Sequence, residues 1–180
     1  EKLRDLEIPE KRRSHVITRD LFLFACYTGT AYADAVSITR ENLFQDDEGS
    51  LWLKYRRKKT DYLGRVKLLP EALALIGKYR DDTRITLFPP QDYHTLRANM
   101  KSLRLMAGLS QDLVYHMARH SFGTLTLTAG IPIESIARMM GHTNIDSTQV
   151  YAQVTDRKIS SDMDRLMERR KPAAGKEAAG

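Results

Sequence analysis

The sequence predicts a mainly helical α+β domain carrying a small three-stranded antiparallel sheet. Apolar residues recur at helical spacing through most of the chain after residue 70, glycines punctuate those stretches, and three short β-prone segments cluster between residues 42 and 69. The chain has 180 residues, with 29 Lys plus Arg against 23 Asp plus Glu, a formal net charge of +6. At about 150 residues per domain, that length suits one unit with its own core. Apolar residues make up 42% and charged residues 29%, a balance that argues against both a disordered chain and a membrane-embedded one.

The elements follow in order. Residues 1–17 are charge-rich, contain Pro9 and read as a linker entering the domain. Thr18 is an N-cap candidate for a buried helix through Tyr27, apolar nearly all round and stopped by Gly29. Its apolar run, Leu21 to Tyr27, is far short of the roughly 20 residues that span a bilayer. Cys26, the single cysteine, lies inside it, which excludes an internal disulfide and fits a reducing, intracellular setting. A short helix is expected near Tyr32 to Ile38. Strands are expected at Asn42 to Phe44, Leu51 to Tyr55 and Arg65 to Leu69. The three acids Asp46, Asp47 and Glu48 precede Gly49-Ser50 and read as a solvated turn rather than a cation site.

Further helices are expected over Pro70–Arg80, Tyr93–Ala107, Leu113–Ala129, Ile133–Met140, Ser147–Gln153 and Arg157–Arg169. Gly108, Gly130 and Gly141 act as stops, and Pro132 opens a helix after its glycine. On the last helix Ile159, Met163, Leu166 and Met167 form one apolar stripe, which either packs on the domain's own core or docks on a neighbouring subunit. Residues 171–180 alternate Ala, Gly and charge and read as a mobile tail.

Three groups of residues could carry chemistry. Lys54, Arg56, Arg57, Lys58 and Lys59 form a cation run broken only by Tyr55. Such a run is a solvated strand edge, or, with Arg57 and Lys59 about 7 Å apart on one strand face, a grip for neighbouring phosphates. His116, Arg119 and His120 share a helix face by the i, i+3, i+4 rule. Two histidines four apart suggest zinc, but no glutamate separates them and the arginine repels a dication, so an oxyanion suits the group better. Gly141-His142-Thr143 is followed by Tyr151. Taken together, hairpin cations, helical Arg and His, a Gly-His pair and a tyrosine supply a nucleophile, positive charge for phosphoryl oxygens and proton donors, the parts needed to attack a phosphodiester without a metal.

These motifs, in this order and spacing from about Thr18 to Leu166, resemble the catalytic domain of the tyrosine recombinase, or phage integrase, family. Tyr27-Thr28-Gly29 resembles its first box, Lys59-Thr60 its hairpin lysine, His116 to His120 its second box, and Met140-Gly141-His142-Thr143 through Tyr151 its third. The resemblance implies that Tyr151 attacks the scissile phosphate of duplex DNA, forming a 3′-phosphotyrosyl bond and releasing a 5′ hydroxyl. It further implies that Arg119 clamps the non-bridging oxygens, His116 assists proton movement at the nucleophile, Lys59 protonates the leaving oxygen and His142 bonds the phosphate. Asp34 and His120 would brace the site, while Lys54, Arg56, Arg57 and Lys58 would contact DNA. No metal or other cofactor is implied. Residues 18–170 would form the catalytic domain, a core-binding domain would precede residues 1–17, and full-length members would act as tetramers on two duplexes. The fragment is then expected to be mainly monomeric and to bind DNA weakly, with strong salt dependence.

One position departs from the family pattern. Thr28-Gly29-Thr30-Ala31 places alanine where the first box has a catalytic arginine. Losing such a donor costs roughly 3–4 kcal/mol of transition-state stabilisation, so another cation must compensate or the protein is slow. Arg57 and Arg19 are the candidate replacements. The variant box resembles integrases of conjugative transposons. Two alternatives remain on the sequence, a DNA-binding relative impaired by Ala31 and a DNA-relaxing enzyme of type IB topoisomerase chemistry.

Overall fold

A buried helix, α1 (Arg13–Thr28), runs through the centre of the domain, with Leu21, Phe24 and Ala25 fully buried. The structure is a computed structural model, and it describes residues 1–144, 146–149 and 156–170. Helices α3 (Pro70–Lys78), α4 (Tyr93–Met106) and α5 (His116–Thr128) pack around α1. The short α2 (Tyr32–Ala35) follows α1 directly. Helices α6 (Ile133–Met140), α7 (Asp146–Gln149) and α8 (Asp156–Arg170) complete the order. Of the helix expected over Ser147–Gln153, residues 150–153 lie outside the described part.

The amino-terminal boundary differs from the sequence reading. Helix α1 begins at Arg13, and Thr18 is an interior residue, fully buried, whose hydroxyl donates to the Ser14 carbonyl at 3.0 Å. Residues expected to be a linker pack on the domain. Leu3 and Ile17 join the core, and Arg19 reaches back to the Leu6 carbonyl at 2.8 Å. The charged surface of this segment hid the few apolar residues that anchor it. Buried Asp20 then ties α1 to the end of α3 by accepting from Lys78 Nζ at 2.5 Å and the Tyr79 hydroxyl at 2.8 Å.

Strands β1 (Leu43–Gln45), β2 (Leu51–Arg56) and β3 (Leu63–Lys67) form the expected antiparallel sheet in the order β1-β2-β3. Alternation sends Leu53, Tyr55 and Val66 into the core while Lys54, Arg56, Arg65 and Lys67 stay exposed. The acidic turn is structural, since Asp46 accepts from the backbone of Glu48 and Ser50 and from the Trp52 indole at 2.6 Å. Strand β2 ends at Arg56. Arg57 N–H donates to the Tyr62 carbonyl, Asp61 N–H donates to the Arg57 carbonyl at 2.8 Å, and Asp61 adopts φ 53° to close the turn. Arg57 and Lys59 therefore do not share a strand face: Lys59 belongs to the turn, where the period of two no longer holds.

On α8, the side chains of Met163, Leu166 and Met167 are exposed, so these three do not pack on the domain's own core; Ile159 lies outside the described side chains. Among the described residues no helix is long and apolar enough to cross a membrane.

Gly29 caps α1 with φ 70°, and a Cβ at that position would sit 2.6 Å from the Phe122 ring. Left-handed strain and overpacking add, so Gly29→Ala is expected to destabilise the domain by about 2–4 kcal/mol, read from urea denaturation. A wild-type midpoint would show that the α1–α5 contact is loose.

Candidate active site

Arg119 is the most buried cation among the candidate site residues, 3% exposed on α5. Its guanidinium donates to the Gly29 carbonyl at the end of α1 and to the Met140 carbonyl at the end of α6, the latter at 2.8 Å. Both carbonyls belong to helix carboxyl ends, where partial negative charge offsets part of the cost of burying the guanidinium. The second box is thereby fastened to the first and the third.

The β2–β3 turn brings a second guanidinium to the same place. Arg57 Nε lies 3.4 Å from a carboxylate oxygen of buried Asp34, and the other oxygen accepts the Lys58 N–H at 2.9 Å. One carboxylate thus holds both the side chain and the backbone at the root of the turn. Beyond that pair, the Arg57 stem crosses Gly141, which has φ 62°; a Cβ there would be 2.9 Å from Arg57 Cγ and Cδ. Only glycine serves both the left-handed cap of α6 and this close approach.

The histidines complete the cluster. His142 follows Gly141, and its Nδ1 is 2.7 Å from the hydroxyl of fully buried Thr148. Burial, then Arg119, Arg57 and His116, pull the His142 pKa down to about 4. The His116 pKa is also lowered, by burial first and then by His120, Arg119 and Arg57. His116 and His120 meet edge to face with ring centroids 4.3 Å apart. Neutral imidazoles beside two guanidinium groups and one carboxylate leave a local positive balance suited to an oxyanion.

Arg57, Arg119, His116 and His142 are thus brought together, with Asp34 and His120 beside them. Arg19 is not: its side chain is engaged by Asp20 at 2.9 Å and Leu6, and it sits on α1 ten residues before Gly29, about 15 Å along the axis. This corrects the expectation that either arginine is available. Ala31 leaves the first-box position without a cation; it is the N-cap of α2, and its carbonyl serves Asp34 and Ala35. Lys58 and Lys59 are exposed in the turn, Lys54 is exposed on the outer sheet face, and Arg56 pairs with Asp61 at 3.2 Å. Tyr151 lies outside the described residues. The sequence reading missed Thr148, because a threonine carries no pattern.

A helical domain thus gathers two guanidinium groups and two imidazoles of lowered pKa beside a basic hairpin, an arrangement with the charge to meet an oxyanion. The chain belongs to the phage integrase family, whose sequence profile matches residues 4–158. It is 30% identical over 125 residues to the integrase of Escherichia phage P2, covering 69% of this chain and 34% of that protein. It is 29% identical over 107 residues to tyrosine recombinase XerC of Listeria monocytogenes serotype 4a, strain HCC23, covering 59% of this chain and 33% of that protein. Its fold resembles XerH site-specific recombinase bound to difH substrate, with TM-score 0.68 and 17% identity over 92% of this chain and 50% of that one. It also resembles the Tn1549 transposon integrase in complex with a circular intermediate DNA, with TM-score 0.62 and 18% identity over 92% of this chain and 62% of that one. The chain spans about a third of the length of these two curated relatives.

The two lowered histidines make stability depend on pH. Each binds its proton more weakly when folded, so the unfolded chain takes up more protons below pH about 6.5, and stability falls as pH drops from there towards about 4. Denaturant midpoints measured at intervals across that window are expected to fall with pH, and His142→Gln is expected to flatten the slope. An unchanged slope in the variant would show that His142 titrates normally.

Proposed function

We propose that this chain is the catalytic domain of a DNA strand-exchange enzyme that cleaves and rejoins duplex DNA through a phosphotyrosyl intermediate, serving integration and excision of a mobile element. The observation that carries this reading is the second guanidinium: Arg57, paired with Asp34 at the root of the hairpin, stands with Arg119 around His116 and His142, while Ala31 supplies no cation. Two fixed cations then face the phosphoryl oxygens, and the reading as a merely DNA-binding relative loses its motive.

In the proposed reaction the Tyr151 oxygen forms a bond to phosphorus and the bond to the 5′ oxygen breaks. Neutral His116 accepts the phenolic proton, and Lys59 delivers one to the departing oxygen. With the Thr148 hydroxyl donating to His142 Nδ1, the other ring nitrogen carries hydrogen and donates to a phosphoryl oxygen. Arg119 and Arg57 offset the charge developing on the same group. Since the phosphotyrosyl ester retains the energy of the broken linkage, a 5′ hydroxyl from a second duplex reverses the attack, which is strand exchange. Duplex DNA is the proposed partner, contacted through Lys54, Arg56 and Lys58, with assembly of the complete enzyme as a tetramer. The exposed Met163, Leu166 and Met167 give α8 an apolar face for a neighbouring subunit.

The test is incubation with a pool of nicked duplexes of randomised sequence in EDTA, followed by a denaturing gel that reports covalent protein–DNA adducts. Wild type is expected to form an adduct and Tyr151→Phe none; an adduct in the variant overturns the assignment. Arg57→Ala is expected to slow adduct formation about 10²–10³-fold, the loss typical of one transition-state donor, whereas Arg19→Lys is expected to keep the wild-type rate. Equal rates for Arg57→Ala and wild type would remove Arg57 from the site.

A further inference from the structure

Tyr55 occupies an unusual position for a phenol. It lies on the inner face of β2, 3% exposed, directly opposite Gly64 of β3. The ring passes over that glycine so closely that a Cβ there would be 2.6 Å from ring carbons and 2.9 Å from the hydroxyl oxygen. The hydroxyl end therefore crosses β3 towards the site. Its charged surroundings are Arg119 first, then Asp34 and Arg57, and burial raises its pKa, so the group is a neutral phenol able to donate or accept.

Among the described residues, the Tyr55 oxygen is the only buried side-chain nitrogen or oxygen without a hydrogen bond of good geometry, although it interacts with the Arg119 guanidinium. A buried hydroxyl without a well-formed hydrogen bond recovers only part of its desolvation cost. Phenylalanine would fill the same space above Gly64 without that cost. The neighbouring guanidinium, meanwhile, is drawn the other way, towards the Gly29 and Met140 carbonyls.

We propose that Tyr55 is a positioning residue whose hydroxyl accepts an N–H from Arg119 once a phosphate draws the guanidinium forward, fixing the plane in which its remaining donors meet the phosphoryl oxygens. The inference rests on the phosphate-cleaving reading above. It deepens that reading by naming a residue that touches no substrate atom and acts through Arg119. Small misplacements of a donor cost large factors in rate, while the sum of phosphate contacts that sets DNA affinity barely changes.

Tyr55→Phe separates this from a structural role. The variant is expected to form the covalent adduct about 5–20-fold more slowly in single turnover on the nicked-duplex pool, with DNA affinity within about twofold of wild type. Its melting temperature is expected to equal or exceed wild type, because a buried hydroxyl without a well-formed hydrogen bond has been removed. In an Arg119→Lys background the same change is expected to have little further effect on rate, since the group it positions is gone. Adduct formation at the wild-type rate overturns the proposal, and so does a melting temperature lowered by more than about 4 °C, which would make the hydroxyl structural. If wild type itself forms no adduct, the phosphate-cleaving reading fails and this inference falls with it. A wild-type adduct matched by Tyr55→Phe sinks the Tyr55 role alone.

Discussion

The geometry of the site depends on one buried guanidinium. Arg119 joins the carboxyl ends of α1 and α6 from its place on α5, so α1 and two consecutive helices far downstream of it share a single charged group. A buried cation without partners would be prohibitively costly, and the two carbonyls that satisfy it belong to backbone positions fixed by glycine caps, at Gly29 and just before Gly141. The same bonds limit how far the arginine can move. In the proposed reaction they hold the arginine beside the site until a phosphate draws the guanidinium forward.

The second constraint is the hairpin's anchorage. Asp34 binds Arg57 and the Lys58 backbone together, and Gly141 lets the Arg57 stem pass. Asp34, three positions after the missing first-box arginine, thus recruits a cation from 23 residues further along the chain. Because the imidazoles are held neutral, the positive charge of the site resides mainly in the two arginines, and a bound phosphate would meet hydrogen-bond donors without four full charges repelling one another.

Much of this was legible in the sequence, for identifiable reasons. The antiparallel sheet and the helix Ile133–Met140 followed from periodicity and glycine stops, and the grouping of His116, Arg119 and His120 followed from helical geometry. What escaped depended on tertiary detail. The start of α1 was misplaced because Leu3 and Ile17 are thinly scattered among charges. The strand-face argument for Arg57 and Lys59 failed because the ladder stops at Arg56, so Arg57 is aimed by a turn and by Asp34 instead of by strand alternation. Arg19 and Arg57 were equivalent on paper; the choice between them came from Asp20, whose carboxylate engages Arg19.

Moving the second cation from the first box to the hairpin changes what controls it. A first-box arginine would follow α1 directly, carried by the helix end that Arg119 fastens. Arg57 instead sits at the root of a turn whose next residues, Lys58 and Lys59, are exposed and basic. Any movement of that turn towards a DNA backbone is transmitted to Arg57 through one residue of chain and through the Asp34 carboxylate, which bonds both Arg57 and Lys58. In the proposed enzyme, contact between the hairpin and DNA and completion of the phosphate site would then be the same event. In that enzyme, a second guanidinium carried on the hairpin would couple charge compensation to substrate binding in a way that one carried on α1 could not.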